Sequence, residues 1–242
     1  MIPSFRHMGG KARLRKWLVS LMPKECETYV EPFVGKGNVF FAARGTVKAN
    51  AWKLDDIDCR FLRALQCANL DELPELVGRD DYTQWKNNAN HPISILLEPR
   101  ITFAGKGYKH GFSGSSGTHV GYSGKCYRSV CEAARQLLDG TEIQECDWSN
   151  TLATCKEGDF VYLDPPYYGT QACYRNINHK HLIETLNYAE FNWLLSGYDN
   201  PLYEVDLQYY RRYGYVRNSE IKSSNTGVRT PILETVWMNY GV

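Results

Sequence analysis

Phe160-Val161-Tyr162-Leu163-Asp164-Pro165-Pro166-Tyr167 is the stretch that decides the fold. Four apolar residues without a polar break suit a strand buried on both faces. Two prolines, which cannot donate to a ladder, stop that strand just beyond Asp164. A carboxylate is thereby set at the carboxyl end of a core strand, where open α/β sheets gather their ligand sites. Taken alone, Asp-Pro-Pro-Tyr also suits an ordinary strand-ending turn.

Upstream, residues 28–33 read as a strand, Gly35-Lys36-Gly37 as a tight turn and residues 38–44 as the start of a helix. A second strand at 51–54 ends in Asp55-Asp56-Ile57-Asp58, and a helix over 60–67 follows. Before all of these, Leu14, Trp17, Leu18 and Leu21 recur at helical spacing after Gly9-Gly10-Lys11, and Pro23 ends the run. Downstream, helices are expected over 129–138 and 179–186, a strand over 193–196, and a closing strand pair at 213–216 and 234–238. The alternation implies an α/β, Rossmann-like parallel sheet with helices on both faces.

Between 78 and 130 the periodicity fades. Residues 105–124 hold seven glycines among serines, tyrosines and basic residues, which reads as a mobile loop inserted into the core fold. The expected organisation is a first catalytic part over 1–70, an inserted segment over 71–130 and a second catalytic part over 131–242. With 43% hydrophobic residues the chain can bury one sizeable core, and no run of residues is long and apolar enough for a membrane span. A soluble, cytoplasmic protein is expected. Eight cysteines without a Cys-x2-Cys pair read as reduced thiols, and no metal site is expected. The net charge of +1 is low for a partner of nucleic acid, but residues 99–131 carry five basic side chains and no acid.

The tetrapeptide Asp164-Pro165-Pro166-Tyr167 suits one chemistry in particular. An exocyclic amine on a base is a poor nucleophile because its lone pair is delocalised into the ring. A carboxylate and a neighbouring peptide carbonyl, each accepting one N–H, would favour the tetrahedral nitrogen, and a tyrosine offers a face for the base. The glycine turn at 35–37 would let a nucleotide-like cofactor approach the backbone, and Asp56, about twenty residues on, stands where a carboxylate accepts ribose hydroxyls.

The chain resembles the D12 class of adenine-specific DNA methyltransferases, to which the Dam enzymes belong. The matching elements are Gly9-Gly10-Lys11, Glu31-Pro32-Phe33-Val34-Gly35-Lys36-Gly37, Asp55-Asp56-Ile57-Asp58, Asp147-Trp148 and Tyr162-Leu163-Asp164-Pro165-Pro166-Tyr167, in that order. Asn178-His179-Lys180-His181-Leu182 and Leu195-Ser196-Gly197-Tyr198-Asp199 are similar to later signatures. The resemblance implies a class I methyltransferase sheet that binds S-adenosylmethionine and acts on double-stranded DNA, flipping the target base. It implies that His7, Gly10, Lys11, Phe33, Gly35 and Gly37 lie at the methionine end of the cofactor, Asp56 at its ribose, and Asp147 and Trp148 at its adenine. Asp164, Pro165, Pro166 and Tyr167 would hold the target base. His7, Lys36 and Ile177 depart from the common pattern, and Tyr174 stands in the shortened loop where a base-capping aromatic is usual.

Cationic rims with aromatics between them suit extrusion of a base from a duplex. Arg100, Lys106, Lys109, Lys125 and Arg128 form one such segment, and Arg211, Arg212 and Asn225 a second, beside tyrosines expected to be core. Methylation of cytosine N4, of RNA, or a non-catalytic nucleic-acid-binding role are the alternatives, and oligomeric state stays open.

Overall fold

The computed structural model describes all residues except 8, 114–123, 170–176, 209–210, 219–230 and 242, and leaves the side chains of 104, 211, 217, 218, 231 and 232 undescribed. The strands are β1 (Glu25–Glu31), β2 (Lys48–Asp56), β3 (Glu142–Glu145), β4 (Phe160–Leu163), β5 (Asn192–Tyr198), β6 (Arg211–Asn218) and β7 (Pro231–Met238). They form one sheet in the order β3-β2-β1-β4-β5-β7-β6. The pairs β1–β2, β1–β4, β2–β3 and β4–β5 are parallel, whereas β7 runs antiparallel to both β5 and β6. Strand order therefore reverses between β1 and β4, which opens a crevice beyond their carboxyl ends.

Side-chain alternation divides β4 between the two faces. Phe160 and Tyr162 join Tyr29, Leu54 and Leu194 in one buried cluster, while Val161 and Leu163 join Val30, Trp193, Leu195 and Trp237 in the other. Trp193 and Trp237 are fully buried, and losing either ring to alanine would cost about 3–5 kcal/mol. The strand that ends in Asp164 is thus rigid before any ligand arrives.

The helices are α1 (Arg15–Ser20), α2 (Phe40–Ala43), α3 (Arg60–Cys67), α4 (Arg79–Asn87), α5 (Pro92–Ile101), α6 (Gly124–Leu138), α7 (Trp148–Leu152), α8 (His179–Asn187) and α9 (Pro201–Asp206). The stretch read as aperiodic contains α4 and α5, a correction with a physical cause. Ile93, Ser94, Leu96, Leu97 and Ile101 are fully buried and Pro99 is buried too, while Pro92, Ile95, Glu98 and Arg100 are half-buried, so burial spreads over most of α5 and leaves no clear amphipathic period. Its prolines at 92 and 99 also argue against a helix, although Pro92 occupies the first turn, where a missing N–H costs nothing. Strand β3 and helix α9 have no counterpart in the sequence reading. The first is a four-residue edge strand of largely polar residues, and the second is a short helix capped by Asn200. Helix α1 begins at Arg15, three residues into the helical run expected over 12–21, and α6 begins five residues earlier than expected.

The expected closing pair exists as β6 and β7, in register from Arg211↔Met238 to Asn218↔Pro231. The expectation that its tyrosines are core is corrected: Tyr213 and Tyr215 are 38% and 42% exposed, because β6 is the outermost strand.

Gly37 has φ +73°, and a Cβ there would lie 3.0 Å from the Phe41 ring. Gly37→Ala is expected to lower stability by about 1–3 kcal/mol through left-handed strain and crowding. Thermal or denaturant unfolding of the variant beside the wild-type chain checks this.

Candidate active site

Asp164 follows β4 directly, and its carboxylate faces a cavity of about 770 Å³ at the reversal of strand order. The Lys11 ammonium lies 2.7 and 2.8 Å from Asp164 Oδ1 and Oδ2, and 2.9 Å from the Gly9 carbonyl. The Ser196 hydroxyl, from β5, is 3.0 Å from Asp164 Oδ1 and 3.2 Å from the Leu163 carbonyl. Burial raises the Asp164 carboxyl above the ordinary range, while Lys11 and Ser196 draw it back down. Among the described residues, Oδ1 has two partners and Oδ2 one, so Oδ2 keeps a lone pair for a further donor.

Lys11 reaches this position because the N-terminal segment is laid across the sheet edge. The Asn38 side chain bonds both the N–H and the carbonyl of Phe5, each at 2.9 Å, and the Gly10 N–H donates to the His7 carbonyl at 3.1 Å. The His7 ring rests against Gly35. Burial, with Lys36 and Lys11 nearby, lowers the His7 pKa to about 3, so its ring is neutral at neutral pH. Lys36 turns its ammonium onto the Phe61 ring at 4.4 Å, and burial lowers its pKa.

The glycine turn and Asp56 form the neighbouring wall. Gly35 and Gly37 both adopt positive φ, and the Gly35 N–H donates to Asp56 Oδ2 at 2.8 Å. Asp56 Oδ1 accepts from the Asp58 N–H at 3.2 Å, and burial raises its pKa. Phe33 and Trp148 stack at 6.3 Å, with His181 edge-on to Trp148. Asp147 caps α7 by accepting from the Ser149 N–H at 3.0 Å. Glu31, at the end of β1, accepts from the Tyr29 hydroxyl at 2.5 Å, and burial lifts its pKa to about 8.

On the far side, the Tyr167 hydroxyl donates to Glu234 Oε2 at 3.0 Å, and its ring meets Tyr198 edge-on with centroids 4.6 Å apart. Lys11 Nζ stands 4.6 Å from the centre of the same ring. The His179 ring bonds the Pro166 backbone and, through Nδ1, the Tyr203 hydroxyl, which ties the proline turn to α8 and α9.

The structure brings Asp164, Pro165, Pro166 and Tyr167 to one cavity with His7, Gly10, Lys11, Phe33, Gly35, Asp56, Asp147 and Trp148. Gly37 lies beneath the loop, against Phe41 and Leu62. Ile177 lines the cavity, and Tyr174 lies outside the described residues. Of the cations expected to meet nucleic acid, Lys109 and Lys125 are exposed and Lys106 partly so. Arg128 instead donates to the Leu70 and Leu73 carbonyls, and Arg100 lies over the Tyr127 ring. Arg212 is paired with Asp199 and Glu204, while the Arg211 side chain and Asn225 lie outside what is described. Sequence reading assigned no role to Glu31, Ser196, Tyr198 or Glu234. The available signal for Glu234 was an acid inside the apolar strand Leu233-Glu234-Thr235-Val236-Trp237.

The strand order, with β7 antiparallel, and a carboxylate at the crevice define a Rossmann-like α/β fold with its site at the reversal of strand order. Residues 7–90 match the D12 class N6 adenine-specific DNA methyltransferase family, so the likeness read from the motifs holds over that part of the chain. Over 189 residues the chain is 24% identical to the Type II methyltransferase M1.LlaDCHI of Lactococcus lactis subsp. cremoris, a match covering 68% of this chain and 65% of that protein's length. Among solved structures it is similar to a precorrin-6y C5,15-methyltransferase of Geobacter metallireducens GS-15, with TM-score 0.43 and 10% identity over 93% of this chain and 87% of the other. It is also similar to an rRNA methylase of Streptococcus thermophilus, with TM-score 0.42 and 12% identity over 98% and 97%.

His7 binds a proton near pH 6.5 when unfolded but only near pH 3 when folded. Between those values the unfolded chain holds more protons, so this group makes stability rise with pH and fall as acid is added. Melting temperatures of wild-type and His7→Gln proteins from pH 4 to 7 should show the shallower slope in the variant.

Proposed function

We propose that the chain uses S-adenosylmethionine to methylate the N6 amine of adenine in double-stranded DNA, in the cytoplasm. The observation that carries this reading is the Asp164 carboxylate, set in one cavity with the Gly35 loop and Asp56. The lining suits the cofactor: a carboxylate at the end of β2 for ribose hydroxyls, the rings of Phe33 and Trp148 for an adenine, and Lys11 with Glu31 for a zwitterionic methionine end. When bound, the cofactor supplies an electrophilic methyl group on a sulfonium.

The chain's own residues then have distinct tasks. Asp164 Oδ2 accepts one N–H of the target amine and the Pro165 carbonyl the other, which favours the tetrahedral nitrogen and localises its lone pair. Ser196 and Lys11 hold the carboxylate in place. Tyr167 offers its ring to the base. The adenine amine is hidden in a duplex, so the nucleotide is extruded before it reaches this pocket.

Residues 71–130 serve as the target-recognition segment in this reading, with Lys106, Lys109 and Lys125 on flanking phosphates. Arg100, Arg128, Arg211, Arg212 and Asn225 belong to the proposed surface as secondary contacts that add little to phosphate neutralisation. Because Arg128 and Arg212 are already paired within the protein, the number of phosphates met is small. Plots of log affinity against log salt should therefore have a slope nearer about −3 than −8.

Tritium from labelled S-adenosylmethionine is expected to enter unmethylated DNA, and digestion with mass spectrometry to find N6-methyladenine. Asp164→Ala is expected to lose on the order of 100-fold or more in rate. Label in cytosine N4 or in RNA would change the substrate, and cofactor and DNA binding without turnover would leave a binding module instead.

A further inference from the structure

Glu234 is 3% exposed, in the middle of a strand whose neighbours Thr235, Val236 and Trp237 are fully buried. A carboxylate held away from water costs several kcal/mol unless it is well bonded. Its position is fixed on both sides, since the register pairs Glu234 with Tyr198 of β5 and Tyr215 of β6. Because β7 runs antiparallel, this point lies beside the carboxyl end of β5, at the rim where Asp164 emerges. Glu234, Tyr198 and Tyr167 all line the cavity.

We propose that Glu234 is a positioning residue that fixes the ring axis of Tyr167 against the target base, with the Tyr198 edge contact setting the plane about that axis; this rests on the methyltransferase reading. Rotation about Cα–Cβ sets where the axis of a tyrosine ring points and rotation about Cβ–Cγ sets its plane, so a hold at the hydroxyl, which lies on that axis, has to be joined by one at the ring edge. The hydroxyl is held by Glu234 Oε2 at 3.0 Å, and the edge by Tyr198 at an interplanar angle of 79°. Lys11, which also grips Asp164, touches the same ring. The stacking surface and the acceptor are therefore referenced to each other through side chains of β5, β7 and the N-terminal segment. Tyr167 lies in a proline turn that does not by itself fix a side-chain rotamer, and the restraint comes from the last strand of the sheet.

The test is a double-mutant cycle on methyl transfer to DNA. Tyr167→Phe and Glu234→Ala should each lower kcat by on the order of 10- to 100-fold, with cofactor KM within about twofold of wild type. Glu234→Gln, which keeps a hydrogen-bond partner for the phenol, should recover most of the lost rate. In the Tyr167→Phe background either change at 234 should cost nothing further. Multiplicative losses in the double variants, or wild-type kcat in Glu234→Ala, would overturn the assignment. If Glu234→Ala does not fold, the ¹⁹F spectrum of Glu234→Gln decides alone. A readout independent of turnover is the ¹⁹F spectrum of protein grown on 3-fluorotyrosine. The resonance missing from Tyr167→Phe should shift in Glu234→Gln, and an unshifted one refutes the contact. A wild-type chain that transfers no methyl group to any nucleic acid while showing that shift would sink the enzymatic reading and leave the restraint on Tyr167 intact.

Discussion

Asp164 carries charge at the end of a strand whose four residues are all buried, and only 18% of its side chain meets solvent. Much of the surrounding structure can be understood as what makes that position tolerable. A carboxylate there requires a cation at short range and donors that do not move, and Lys11 and Ser196 supply them from opposite ends of the chain. Removing Lys11 alone would leave the carboxyl with burial as its dominant influence and push it towards the neutral form, which has lost an acceptor. The pair therefore holds both the charge state and the direction of the group.

The same requirement explains why the N-terminal segment is pinned so firmly. A lysine that must meet a residue 153 positions away in sequence cannot depend on a flexible leader, and the paired bonds between Asn38 and Phe5 fasten its approach to the glycine loop. That loop is in turn anchored to Asp56 through the Gly35 N–H. The cofactor wall and the target-base wall are thus one connected piece of structure, joined through Phe5, His7, Gly10 and Lys11.

Much of this was legible from residue order. Strand β4 and helix α3 have the predicted limits because apolar runs ended by prolines or opened by acids leave little choice of boundary. The pocket's main walls were also legible, since glycine turns and strand-end carboxylates are local features. What could not be read was non-local. Helix α5 is hidden because its buried residues follow no narrow helical stripe and prolines stand at 92 and 99, and Glu234 gains its meaning only from antiparallel pairing with β5, a register no short window contains. The engagement of Arg128 by the Leu70 and Leu73 carbonyls and of Arg212 by Asp199 and Glu204 was equally hidden, because charge is visible in a sequence and its partners in the fold are not.

The ammonium resting on the Tyr167 ring has a geometric corollary. A flat aromatic ring has two sides, and a cation seated on one leaves at most the other for a planar guest. A heterocycle stacking on this ring is therefore confined to the side away from Lys11. Which side of the tyrosine serves as the platform is decided by a side chain that need never touch the guest.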